Sequence, residues 1–149
     1  MNIYCHPLVT VKNLEKRFTI REQGLFFGKL ERVDALNGVS LEIQRGETVS
    51  VVGESGSGKS TLAKIIALLI NPDQGTVVIE GSDTRSLSKG RLKSLRRKIH
   101  LIFQDPYSSL NPRLSVGDII MEPLIIQKIA SRNDRLNSVA RALHEVGMQ

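Results

Sequence analysis

The sequence predicts an α/β fold, and three observations carry the prediction. A continuous apolar run, TVSVV (48–52), reads as a strand covered on both faces. The glycine-rich stretch GESGSGKST (53–61) follows it directly. The next segment, LAKIIALLI (62–70), then repeats Leu62, Ile65, Ile66 and Leu69 at helical spacing. Strand, glycine loop and helix in that order make one β-to-α step built around the loop.

The remaining elements follow along the chain. LVTVKNLEKRF (8–18) opens with β-branched alternation, and Val39 to Ile43 alternates apolar with polar as a half-buried strand does. Residues 44–47 turn into TVSVV. After the glycine loop and its helix, NPDQG (71–75) supplies a proline and turn residues that stop the helix. TVVIE (76–80) is a short strand that meets Gly81, the arm of a β-hairpin. Over 88–97, Leu92 and Leu95 with Ile99 mark one helical face, and Arg91, Lys93, Arg96 and Arg97 fall mostly elsewhere, on a solvated basic face. IHLIF (99–103) reads as a buried strand, and QDPYSSLNPR (104–113) as a polar loop with two prolines. Ser115 caps a helix through Leu124. A last helix carries Leu136, Val139, Ala140, Leu143 and Val146, with Gly147 as its stop.

With 149 residues and a formal net charge of +6, the chain can bury one core and suits an acidic partner without choosing among nucleotide, nucleic acid and lipid. The longest apolar runs, such as IIALLI (65–70), fall short of the roughly 20 residues of a membrane-spanning helix. The start, MNIYCHPLVT, has neither the basic nor the apolar region of a secretory signal, so the cytoplasm is the expected compartment. Cys5 is the single cysteine and reads as an incidental thiol.

The loop fits G-x-x-x-x-G-K-[ST] with Gly53, Gly58, Lys59 and Ser60. Glycines let successive backbone N–H groups turn inward around phosphate oxygens, and the positive end of the following helix dipole adds to them. The cradle then comprises Gly53, Glu54, Ser55, Gly56, Ser57, Gly58, Lys59, Ser60 and Thr61. Lys59 would span the β- and γ-phosphates of a nucleoside triphosphate, and Ser60 would offer its hydroxyl to Mg²⁺. Hydrolysis also needs an acid to hold the metal through water. Glu80 ends a hairpin arm, and Asp105 is separated from its strand by Gln104, so neither is assigned that role.

Three stretches resemble the ATP-binding cassette (ABC) ATPase subunits of transporters: VDALNGVSLEIQRGETVSVVGESGSGKSTLAKII, the hairpin NPDQGTVVIEG, and LIFQDPYSSLNPRLSVGDIIMEPL. FQDPYSSLNPR resembles the oligopeptide, dipeptide and nickel importer branch in particular. The resemblance implies a P-loop NTPase core with an amino-terminal antiparallel β subdomain over about 1–104. The Q-loop and the start of a helical subdomain would take up about 105–149. It implies ATP and Mg²⁺ as ligands, with Gln104 as the Q-loop glutamine approaching Mg²⁺ and the attacking water, hence catalytic beside Lys59. Phe18 resembles the aromatic that stacks on adenine, with a core role and the rivals Phe26 and Phe27 left open. The family's LSGGQ signature, acidic strand-end pair and switch histidine are not found in these 149 residues, and the expectation is a truncated domain, inactive alone.

The resemblance thus implies an importer's ATPase subunit on the cytoplasmic face of the membrane, coupling ATP to transport of peptides or nickel. Its partners would be permease subunits met through residues 104–123, a second ATPase subunit, identical or different, and a substrate-binding protein outside the membrane. A soluble ABC-type ATPase acting on nucleic acid or ribosomes is the alternative from another class, with the basic stretch 91–98 as its footprint. A nucleic-acid reader interleaves basic residues with exposed aromatics, and with Phe103 read as part of a buried strand only Tyr107 is nearby, so no nucleic acid is expected. A nucleotide-binding module without turnover is the third reading.

Overall fold

The computed structural model describes residues 6–21, 30–105, 107, 110–129 and 131–148. Cys5, Phe26, Phe27 and Pro106 lie outside them. The chain divides into two compact units, Met1–Leu101 and Ile102–Gln149.

The first unit is built on a long antiparallel hairpin, β1 (Val9–Arg21) against β2 (Leu30–Ile43), which pairs from Val9↔Ile43 to Arg21↔Leu30. Both strands outrun the sequence expectation. Cross-strand pairs such as Phe18↔Val33 and Ile20↔Glu31 extend the ladder beyond the 8–18 and 39–43 stretches that the sequence marks as strands. On its other edge β1 pairs with β3 (Gln74–Ile79), which turns back into the short β4 (Ser82–Asp83), giving the order β2-β1-β3-β4. TVVIE is therefore the arm of a hairpin, as its Gly81 suggests.

Two helices belong to this unit, α1 (Lys59–Ile66) and α2 (Lys89–Arg96). Val9 and Val11 stand opposite Ile79 and Val77 and so share one sheet face. With Leu14 and Leu36 they meet Leu62, Ile65 and Leu68 from α1 and its exit, and Leu95 from α2. Ile65 is 1 % exposed. Truncating such a side chain to alanine costs about 2–5 kcal/mol. The periodicity of 62–70 continues past the real helix end: Leu68 takes a left-handed φ of +60° and Leu69 is exposed. The Arg96 guanidinium donates to the Leu68 carbonyl at 2.9 Å, which satisfies an oxygen freed by the early stop.

TVSVV and IHLIF depart from expectation. Neither 48–52 nor 99–103 forms a strand among the described residues, and neither is buried: Val52 is 92 % and Ile102 88 % exposed. A parallel strand exists only through its ladder, and no described strand pairs with either segment. Between 49–51 and 99–101 lies an open, mainly apolar groove of about 510 Å³, floored by Leu62 and Ile66 of α1 and flanked by Leu41 and Ile43 of β2.

The second unit contains α3 (Val116–Ile126) packed on α4 (Arg132–Glu145). Ser115 caps α3 by accepting from the Asp118 N–H, and Ser131 and Asp134 form a reciprocal capping box on α4. Val139 is buried, whereas Ile125 and Ile126 of α3 are exposed.

Candidate functional site

The glycine loop runs from the end of 48–52 into α1, and what lies behind it fixes its shape. Gly58 has φ +89°, and a Cβ there would overlap the Ala35 carbonyl oxygen and the Leu36 side chain of β2. A glycine is required on both counts. The first turn of α1 is thereby pressed against the hairpin at the point where β2 carries an irregularity, the register passing from Lys16↔Leu36 to Arg17↔Asp34.

The four described helices start differently. Serine oxygens cap α2, α3 and α4, through Ser88, Ser115 and Ser131. No side chain caps α1, whose N-cap is Gly58 and whose first turn holds no acid. Its leading N–H groups thus have no capping side chain, and with the positive dipole end they are the donor set an anion requires. Lys59 supplies the mobile charge. Its ammonium donates to the Gly53 carbonyl at 2.8 Å, the Glu54 carbonyl at 2.5 Å and the Ser57 Oγ at 3.2 Å, folded into the loop's own oxygens. Gly56 also adopts a left-handed φ, of +83°, and Ser55 turns with it. Ser60 is exposed at the second position of α1, and Thr61 follows it half-buried.

The residues fit a nucleoside polyphosphate: uncapped N–H donors, a lysine within reach of the loop mouth, and a free-standing hydroxyl. No cluster of three or more His, Cys, Asp or Glu side chains suited to a metal occurs among the described residues. A cation at Ser60 would therefore draw its other ligands from phosphate oxygens, water or a neutral side-chain oxygen such as an amide.

Phe18 lies close by along the hairpin. It pairs with Val33, two residues from Ala35, a separation of about 7 Å along a strand. The ring is 38 % exposed, so it is not core. The Lys16 ammonium sits 5.6 Å from its centroid. Lys16 is a neighbour that the sequence does not flag; only its i,i+2 spacing from Phe18 hints that the two share a strand face.

Glu80 is engaged structurally. Its carboxylate meets Lys98 Nζ at 2.6 Å and Arg45 at 3.9 Å, and its acidity is raised chiefly by the Lys98 hydrogen bond. Asp105 accepts from the Tyr107 N–H at 3.1 Å. Gln104 belongs to the second unit and is exposed, as are Tyr107, Leu110 and Leu114 of the loop that follows it.

Comparison with known proteins places the sequence and fold in a family. The family profile for ABC transporters matches residues 36–149. A di/tripeptide transport ATP-binding protein, DppF, from Pseudomonas aeruginosa is 42% identical over 95% of this chain and 43% of its own length. A probable peptide ABC transporter ATP-binding protein, y4tS, from Sinorhizobium fredii is 46% identical over 95% of this chain and 40% of its own. The glutathione import ATP-binding protein GsiA of Pectobacterium atrosepticum is 42% identical over 98% of this chain and 23% of its own. The chain thus spans less than half the length of each. Among solved structures, the ATP-binding cassette MJ0796 in a dimeric post-hydrolysis state with ADP and Pi superposes with a TM-score of 0.72 at 33% identity. That match covers 95% of this chain and 58% of the cassette.

Proposed function

The chain belongs to the ABC transporter family, and from that premise we propose that it is the ATP-binding part of an importer ATPase whose cargo is peptide. The observation that carries the reading is the uncapped start of α1 behind Gly58, with Lys59 poised over the loop. The relatives named for di/tripeptide, peptide and glutathione import support peptide cargo over nickel.

In this reading residues 53–61 wrap the phosphates. Lys59 would exchange its loop oxygens for β- and γ-phosphate oxygens, and Ser60 would help to hold Mg²⁺. The ion's part is to neutralise charge on the phosphates. By the family resemblance, Gln104 would approach the metal and the attacking water, and Phe18 would stack on the adenine. Residues 1–104 act as the β subdomain and nucleotide core, and 105–149 as the Q-loop and the start of a helical subdomain. The exposed Tyr107, Leu110 and Leu114 suit contact with a permease helix. The assembled system would add a second ATPase subunit and a substrate-binding protein, with this subunit peripheral on the cytoplasmic face of the membrane. No described helix is long and apolar enough to cross it. The basic stretch 91–98 contains no aromatic residue, which argues against a single-strand nucleic-acid reader. Since Glu80 is held by Lys98 and Arg45, and Asp105 by its own turn, the 149-residue chain is expected to bind ATP without turning it over.

The test is titration of a fluorescent ATP analogue against the chain and Lys59→Ala. Loss of one charge-assisted phosphate contact should cost about 1.5–3 kcal/mol, or about one to two orders of magnitude in affinity. Equal affinities would overturn the assignment of Lys59.

A further inference from the structure

The base end of the site contains a contact that the phosphate loop does not account for. Lys16 shares a strand face with Phe18 and stands opposite Leu36, the side chain that backs Gly58. Its side chain is only 16 % exposed, which is low for an ammonium group. Two groups hold it there: Asp73 Oδ1 at 2.8 Å and the face of the Phe18 ring. Asp73 is itself fixed, since its other carboxylate oxygen accepts from the Arg17 N–H at 2.7 Å and its own N–H donates to the Glu15 carbonyl at 2.9 Å. The Arg17 side chain is turned to Asp34 at 2.6 Å and does not compete for this anchor.

We propose that Lys16 is a positioning residue for base recognition: anchored by Asp73, it covers one face of Phe18 and presents the other face as the platform for the purine. The inference rests on the reading of Phe18 as the base contact. A cation over one ring face restrains the ring's rotation, so less freedom is lost when a base stacks. It also draws π-density toward itself, which favours an electron-rich purine on the opposite face. Asp73 lies in the segment leading out of α1, so one side chain links the phosphate-holding helix to the base platform.

The test compares ATP with inorganic tripolyphosphate, which reports the phosphate loop alone, by calorimetric titration of the 149-residue chain. Lys16→Met should weaken ATP about three- to tenfold, the range of a partly desolvated cation–π contact, with tripolyphosphate unchanged. Lys16→Arg, which keeps the cation, should restore ATP binding. In a Phe18→Ala background Lys16→Met should add no further loss. A purely structural role would lower both ligands together, or leave the loss intact in the Phe18→Ala background, and either result overturns the proposal. If Phe18→Ala weakens ATP but Lys16→Met does not, the base platform stands and the role of Lys16 falls. If Phe18→Ala leaves ATP unchanged, the platform reading itself fails and takes the inference with it.

Discussion

Glu80 shows how one residue in an awkward conformation can serve as a junction. Its φ of +50° is unusual outside glycine. It directs the carboxylate toward Lys98, just before residues 99–103, and toward Arg45, just before residues 48–52. One side chain thus braces the roots of both unpaired segments. Its folded pKa lies below the ordinary glutamate value of 4.5 because Lys98 stabilises the anion. The sign follows from linkage: the contribution is complete above that ordinary value and is lost as pH falls through the lower folded one. Thermal midpoints measured from pH 6 down to 3 should therefore fall less steeply for Glu80→Gln than for the wild type. The difference should be small, since the group is solvated and screened. Identical slopes would mean that the brace contributes nothing.

At the scale of elements, the helices separate into capped and uncapped starts, and the sequence reveals one kind better than the other. Ser115 is legible as a cap because a cap is local, a serine oxygen three residues before the N–H it serves; Ser88 and Ser131 do the same work in the structure without being singled out in the sequence. Ser131→Ala should destabilise α4 by about 0.5–2 kcal/mol in chemical denaturation. No change in midpoint would show the capping box to be idle. The glycine loop is likewise legible as a motif, but its seat is not, because Ala35 and Gly58 meet only through the register of β2. Nor does the sequence disclose that Lys16 reaches Asp73 across 57 positions. TVSVV and IHLIF mislead for a related reason. Apolar β-branched runs record what a segment would do beside a partner, and a ladder takes two strands. The sequence pattern overruns the end of α1 by a few residues because apolar spacing persists through Leu69 after the backbone has turned at Leu68.

For the molecule as a whole, the core of the first unit is one-sided. Val9, Val11, Val77 and Ile79 bury a sheet face against α1 and α2, while the groove beside α1 stays open. Replacing Ile65 by alanine should remove about 2–5 kcal/mol, much of the stability of a small domain. Loss of the cooperative unfolding transition in that variant is the expected readout, and an unchanged midpoint would place the core elsewhere. The groove also governs behaviour between molecules. Its walls offer apolar side chains on backbone that has no described ladder, a surface suited to meeting another copy, whereas a net charge of +6 keeps copies apart. Salt shortens the range of that repulsion to about 10 Å at 0.1 M and leaves apolar attraction in place. Colloidal behaviour should therefore run opposite to that of a protein held together by surface ion pairs. Dilute, low-salt solutions should scatter light as monomers, and scattering should grow with both concentration and ionic strength.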